Sequence, residues 1–211
     1  LADADAVVQA NSDRAEAYIW RGIIASSYAG AKGGIGALAI TEKSKQDLEK
    51  ALSIDPTALQ GSAYTSLGVL FYKVPGWPIG FGSDKKAREL LNKALEINPQ
   101  GIDPNYFYAD FLAQERDYKG AMRYLELAKH APGRPDRPLA DSGRQQEIAH
   151  VRRIEHVRTN RRIQRGEQTF LAQALGLHVT ARAVFVQRPV GQAAHATYLH
   201  LPPFHFYGSL I

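Results

Sequence analysis

The sequence predicts an all-α fold built from stacked helical hairpins, and three observations predict it. In residues 61–99, Leu67, Leu70, Phe71 and Val74 form one apolar stripe, and Ala87, Leu90, Leu91, Ala94 and Leu95 form another. Both recur at i, i+3, i+4, i+7, the spacing of one buried helix face. The second stripe then repeats along the chain. Ser44, Leu48, Ala51 and Pro56 stand at the spacing of Ala87, Leu91, Ala94 and Pro99; Ala121, Leu125, Ala128 and Pro132 follow it with the proline one position early. Finally, Gly22, Gly68 and Ala109 hold matching places in the preceding helix of each unit. A small residue there lets two helices approach closely, and self-similarity at this period marks an array of hairpins.

Taken in order, residues 1–10 read as the end of a helix or a frayed lead-in. Asn11-Ser12-Asp13 is an N-cap cluster for a helix over about 14–28, with Ala17, Trp20, Ile24 and Tyr28 as its expected buried face. The stretch 29–39 (AGAKGGIGALA) reads as a flexible loop. Its Gly34-x-Gly36-x-x-Ala39 imitates a dinucleotide fingerprint but follows a helix, whereas that fingerprint needs a preceding strand. A helix over 40–54, capped by Thr41 and Glu42, closes at Asp55-Pro56, and another runs over 58–73. Two prolines and three glycines in 74–82 (VPGWPIGFG) impose a non-helical excursion. Its Trp77, Ile79 and Phe81 either fold back on the helices or line a pocket. Ser83-Asp84 caps the next helix, and Asn98-Pro99 ends it. Gly101 to Pro104 turns the chain into a helix carrying Tyr106, Phe107, Tyr108 and Phe111, four aromatics that one core face cannot all bury. After the Pro-rich stretch 131–144, Asp141 or Ser142 caps a last helix over about 143–165, with Ile148, Val151, Ile154 and Val157 inward.

These units resemble the tetratricopeptide repeat (TPR). The resemblance rests on the small residues at Gly22/Gly68/Ala109 and Ser44/Ala87/Ala121. It rests equally on the large ones at Leu48/Leu91/Leu125, the alanines at 51, 94 and 128, the closing prolines, and the Arg116-Asp117-Tyr118 turn. It implies a superhelix of three helix-turn-helix units, over about 12–56, 57–99 and 101–132, with the last helix as a cap. Residues 1–166 then form one helical domain and 167–211 a tail. Two departures lie between paired helices, where units one and two are longer than a standard repeat. The second insertion, with GIDPNYFYADFL (101–112) and GRPDRPLADSGR (133–144), is similar to proteobacterial TPR proteins, many of them exported or lipid-anchored and some accompanying tripartite periplasmic transporters. By that resemblance a periplasmic location is expected, with the cytoplasm as the alternative.

The resemblance also implies a concave groove. Its lining falls on Ile19, Ile23 and Ser26, on Thr65, Val69 and Tyr72, and on Tyr106, Asp110 and Gln114. Such a mixed lining suits a peptide or small amphipathic ligand. The implied function is a non-enzymatic scaffold that binds a protein or peptide. The alternative is small-ligand capture in transport, at a pocket bounded by Tyr72, Trp77, Phe81 and Tyr106.

Composition narrows the partners. The 211 residues are 45% hydrophobic and contain no cysteine, which removes disulfides and thiolate chemistry. No run of eighteen apolar residues occurs, so no membrane span is expected. The chain begins at Leu1 without a signal-peptide pattern, and a mature or trimmed form is the expectation. Charge is uneven: 15 Lys and Arg against 16 Asp and Glu over 1–129, and 11 against 5 over 130–211. Arg158, Arg161, Arg162 and Arg165 make a basic stripe, a second alternative site for an anion or RNA. No Phe, Tyr or Trp lies between 125 and 169 to stack on bases, which disfavours nucleic acid. Residues 168–211 hold a possible β-hairpin and no Lys, Asp or Glu. His195, His200 and His205, five apart, make a poor metal set. No motif calls for a cofactor, a metal or catalysis, and the open end of a short array offers a surface for homo-oligomerisation.

Overall fold

The computed structural model describes residues 1–153. The helix ends over 154–165, the arginine stripe and the hairpin-prone tail lie outside the described residues. Seven helices are α1 (Ala2–Ala10), α2 (Ala15–Lys32), α3 (Ile35–Ile54), α4 (Ala58–Lys73), α5 (Asp84–Ile97), α6 (Ile102–Gln114) and α7 (Tyr118–Lys129). An eighth, α8, begins at 138 and continues to 153. The described residues are therefore all-helical and repeat-like. The pairs α2/α3, α4/α5 and α6/α7 make the most extensive contacts, while α2 meets α4 and α4 meets α6.

The first two pairs each close on one leucine. A methyl group placed on Gly22 would lie 2.9 Å from Leu48 Cγ, and one on Gly68 would lie 2.8 Å from Leu91 Cγ. Leucine thus sits directly on the facing backbone in both pairs. Leu48, Leu91 and Leu125 are fully buried, as are their companions Ala51, Ala94 and Ala128. Ser44, the polar member of its set, donates its hydroxyl to Gly22 O at 2.6 Å and so is satisfied in the core.

Several ends follow the sequence signals. Ser83 accepts from Lys86 N at the start of α5, and Asp117 accepts from Gly120 N at the start of α7. Helices α3 and α5 end at the residues before Asp55-Pro56 and Asn98-Pro99. Helix α4 enters through a left-handed turn at Leu59, Gln60 and Gly61 (φ 47°, 57° and 77°). Gly61 lies against Ile97, and Asn98 Nδ2 donates to Gln60 Oε1 at 2.9 Å.

Four local expectations are corrected. The stretch 29–39 is not a loop: only Gly33 and Gly34, both with positive φ, interrupt an otherwise helical run. Alanine-rich sequence extends α2 and α3 on either side of them, so the insertion lengthens the hairpin. Thr41 lies inside α3, where its hydroxyl donates to Leu38 O. Helix α8 starts at Pro138, where a missing N–H costs nothing. Asp141 serves Arg134 instead of capping, accepting from its backbone N–H and its guanidinium. On α2, Ala17 is buried as expected, but the face buried with it runs through Ile19, Ile23 and Ser26; Trp20 and Ile24 are half-buried and Tyr28 is exposed.

The four aromatics of α6 are all buried. They can be, because α6 has neighbours on every side. Phe111 packs by Tyr72 (5.5 Å between ring centres), and Tyr108 lies edge-on to Tyr124 (4.6 Å). Tyr106 and Phe107 take the Arg144 guanidinium of α8 over their rings, at 4.5 and 4.6 Å.

Enlarging the glycine seat tests the pairing. Gly68→Ala should destabilise the fold by about 1–3 kcal/mol through overpacking against Leu91, read as a lower urea midpoint with an unchanged slope.

Candidate binding surface on the 74–82 excursion

The inner face of the array is occupied by the chain itself. Arg137 lies over the Trp20 ring at 4.7 Å, and Ala140 shares a small void with Ile23, Thr65 and Phe107. Beyond it Arg144 covers Tyr106, and Ile148 is fully buried in the core. Of the expected groove residues, Ile23, Thr65, Val69, Tyr72 and Tyr106 are buried. The Asp110–Gln114 end keeps an opening, with Asp110 half-buried and Gln114 exposed, and Thr65 borders a second recess of about 350 Å³ beside Asp103 and Arg137. Over Ile23 and Tyr106 the expected groove is therefore covered by residues 137–148 of the chain.

A buried ion network holds the filler. Arg144, 2% exposed, bonds Asp103 Oδ1 at 2.9 Å and also Glu147. Arg134 bonds Asp103 Oδ2 at 2.7 Å and pairs with Asp141 at 2.6 Å. Burial works to raise the Asp103 pKa, but the guanidiniums of Arg144 and Arg134 outweigh it and hold the carboxyl below its ordinary range. Glu147 goes the other way: burial pushes it up despite Arg144. Arg144 stands at i−4 from Ile148 and i−7 from Val151, so it continues the apolar stripe of α8. An arginine on a buried stripe demands a carboxylate partner; that signal was available in the sequence, and Asp103 is what it required.

The structure does bring three predicted residues together. Tyr72 donates its hydroxyl to Asp110 Oδ2 at 2.7 Å, and Gln114 Nε2 donates to Tyr72 O at 2.9 Å. Lys73, which sequence reasoning passed over, pairs with Asp110 at 2.7 Å. Burial, then the Asp110 carboxylate, raises the Tyr72 pKa well above its ordinary value. The phenol therefore stays protonated as a donor, the opposite of an activated nucleophile.

The excursion stands apart from that cluster. Gly82 N donates to Pro75 O at 2.9 Å and Ser83 N to Phe71 O at 2.7 Å, closing its base. Ile79 N and Gly80 N both reach Gly76 O. Phe81 folds back, edge-on to Phe71 at 5.4 Å. Trp77 and Ile79 do not: they are 88% and 67% exposed. Tyr72, Trp77, Phe81 and Tyr106 therefore do not bound a single cavity.

Two cavities flank the excursion. One of about 460 Å³ lies between Phe71–Gly76, Gly82–Asp84 and Gln114. The other, about 300 Å³, is an apolar cleft walled by Ala29, Gly30, Ala37, Leu38, Val74 and Ile79. Its two polar neighbours are already engaged, Thr41 with Leu38 O and Lys73 with Asp110. Among the described residues no helix is long and apolar enough to cross a membrane. No family model, curated protein or solved structure matches the chain.

Removing the network's shared carboxylate is the sharpest test of the filled groove. Asp103→Asn should cost about 3 kcal/mol at pH 7, because it takes the shared charge from two guanidiniums at once and leaves the buried Arg144 with Glu147 alone. A carboxyl with a lowered folded pKa stabilises above its unfolded pKa and loses that contribution as pH falls through the folded value. The gap between wild type and variant in urea midpoint should therefore narrow below about pH 4.

Proposed function

We propose that this chain is a non-enzymatic TPR-like scaffold that binds a protein or peptide. Its contact surface is the 74–82 excursion with the adjoining cleft, rather than the inner groove. One observation carries the reading: Trp77 stands 88% exposed on an excursion pinned at its base. Leaving roughly 200 Å² of indole in water forgoes on the order of 3–5 kcal/mol of burial. Tryptophan is also the residue type most enriched among binding hot spots, and a pinned loop loses little freedom on docking. The resemblance of the sequence to exported TPR proteins favours a periplasmic setting for this binding, with the cytoplasm as the alternative.

A second reading, capture of a small ligand in transport, is favoured by the 300 Å³ cleft itself. Its walls are almost wholly apolar, with Lys73 the one charged residue among them and already paired with Asp110, and so favour an apolar molecule. RNA binding through the arginine stripe falls on residues that the structure does not describe.

Trp77→Ala should leave the urea midpoint within about 0.5 kcal/mol of wild type, since the side chain packs on nothing. Immobilised full-length chain should retain a protein from a periplasmic extract that the Trp77→Ala chain does not. Equal retention by both would sink the assignment of the surface.

A further inference from the structure

The cover over the inner face is firm at one end and loose at the other. Arg144 and Ile148 of α8 are buried, but no residue from 131 to 143 is. Leu139, the largest apolar side chain of that stretch, is 88% exposed. Prolines at 132, 135 and 138 remove three backbone donors. Other donors of the stretch bond within it: Arg134 N reaches Asp141 Oδ2 at 2.6 Å, Arg137 N reaches Arg134 O and Asp141 N reaches Arg137 O.

Two arginines hold this segment to the array. Arg134 bonds Asp103 Oδ2 at 2.7 Å, and Arg137 lies over the Trp20 ring at 4.7 Å. Around these two contacts the fit is poor. The recess of about 350 Å³ separates 132–137 from the walls at 59–65 and 98–104. Deeper in, Ser66 Oγ is buried without a hydrogen-bond partner beside the void that Arg137 and Ala140 also line. A permanent interior packs to crystal density and satisfies its polar atoms. A segment with little buried apolar area opens at lower cost than the helices around it. The remainder of α8 stays when the segment leaves, because Arg144 and Ile148 are anchored separately.

The segment also shows what the face beneath it recognises. Asp103 takes the edge of one guanidinium, and Trp20 takes the flat face of another three residues on. Arginine offers both a planar fork and a stacking face, whereas lysine is a point charge without the fork.

We propose that residues 131–143 are a displaceable cover, and that the face beneath takes an arginine-x-x-arginine segment of another protein in place of Arg134 and Arg137. This site is separate from the 74–82 excursion and is open to a partner only when the cover lifts. The tether gives the chain's own arginines an effective concentration in the millimolar range. They therefore exclude a free segment of equal intrinsic affinity until they are removed or outcompeted.

The probe is a fluorescein-labelled peptide APGRPDRPLAD, the sequence of residues 131–141. By anisotropy, the full chain carrying Arg134→Ala and Arg137→Ala should bind it at least tenfold more tightly than wild type does. The same peptide with lysine at both arginine positions should bind that variant at least tenfold less well. In a Trp77→Phe background Trp20 is the one tryptophan left, and its emission should change as the peptide saturates the double variant. A second measurement uses the wild type alone. Exchange of the Arg134, Arg137 and Asp141 amides should accelerate severalfold between about 0.05 M and about 1 M NaCl, as the Arg134–Asp103 pair is screened. Amides in the middle of α4 and α6 should keep their rates. No peptide binding by a folded double variant overturns the proposal, as does equal binding by variant and wild type, or of the arginine and lysine peptides. Binding without a change in Trp20 emission places the peptide elsewhere and overturns the site. Exchange at 134–141 that salt leaves unchanged, or that is as slow as in α6, means that the cover lifts only when the whole fold opens. That result overturns the proposal even where the double variant fails to fold.

Discussion

A leucine seated on a bare stretch of facing helix sets the geometry of this protein. Leu48 on Gly22 and Leu91 on Gly68 bring paired helices closer than any β-carbon allows. Close approach fixes the pairs, the pairs stack through α2, α4 and α6, and the stack creates the inner face. That face is apolar and aromatic, so something must cover it, and α8 with its approach segment does. Arg144 can lie there because Asp103 and Glu147 meet its charge while Tyr106 and Phe107 meet its flat faces.

Much of this was legible. Period 3.6 stripes, prolines after helix ends and the recurring small–large–small pattern located the three pairs and nearly all their termini. These are local signals, carried within a dozen residues. What was missed depends on how many neighbours a helix has, which no single helix encodes. Four aromatics on α6 look excessive for a helix with one buried face, and are ordinary for a helix enclosed on all sides. Ile23, Thr65 and Tyr106 were placed on the correct face, but whether that face is open depends on residues 134–151, far along the chain. The first insertion departs from its loop-like composition for a different reason. Its glycines suggest a loop, but the alanines beside them favour helix, and Gly33 and Gly34 require only a two-residue break.

The two insertions share a location and differ in chemistry. Both extend the ends of hairpins, where added residues leave the leucine seats untouched. The first adds helix and small side chains; the second adds prolines, an anchored turn and an indole. The cleft lies between them, with Ala29 to Leu38 on one side and Val74 and Ile79 on the other, so neither insertion alone would form it.

The segment over the inner face changes how the array responds to heat and denaturant. A stack whose units touch only their neighbours can lose an end unit while the rest stays folded. Here Arg137 reaches Trp20 in the first pair, while Arg144 and Ile148 are bound at the last. A strap that joins first and last units turns an open row into a closed circuit. Fraying at either end then breaks contacts at both, and melting is expected to be all-or-none instead of sequential.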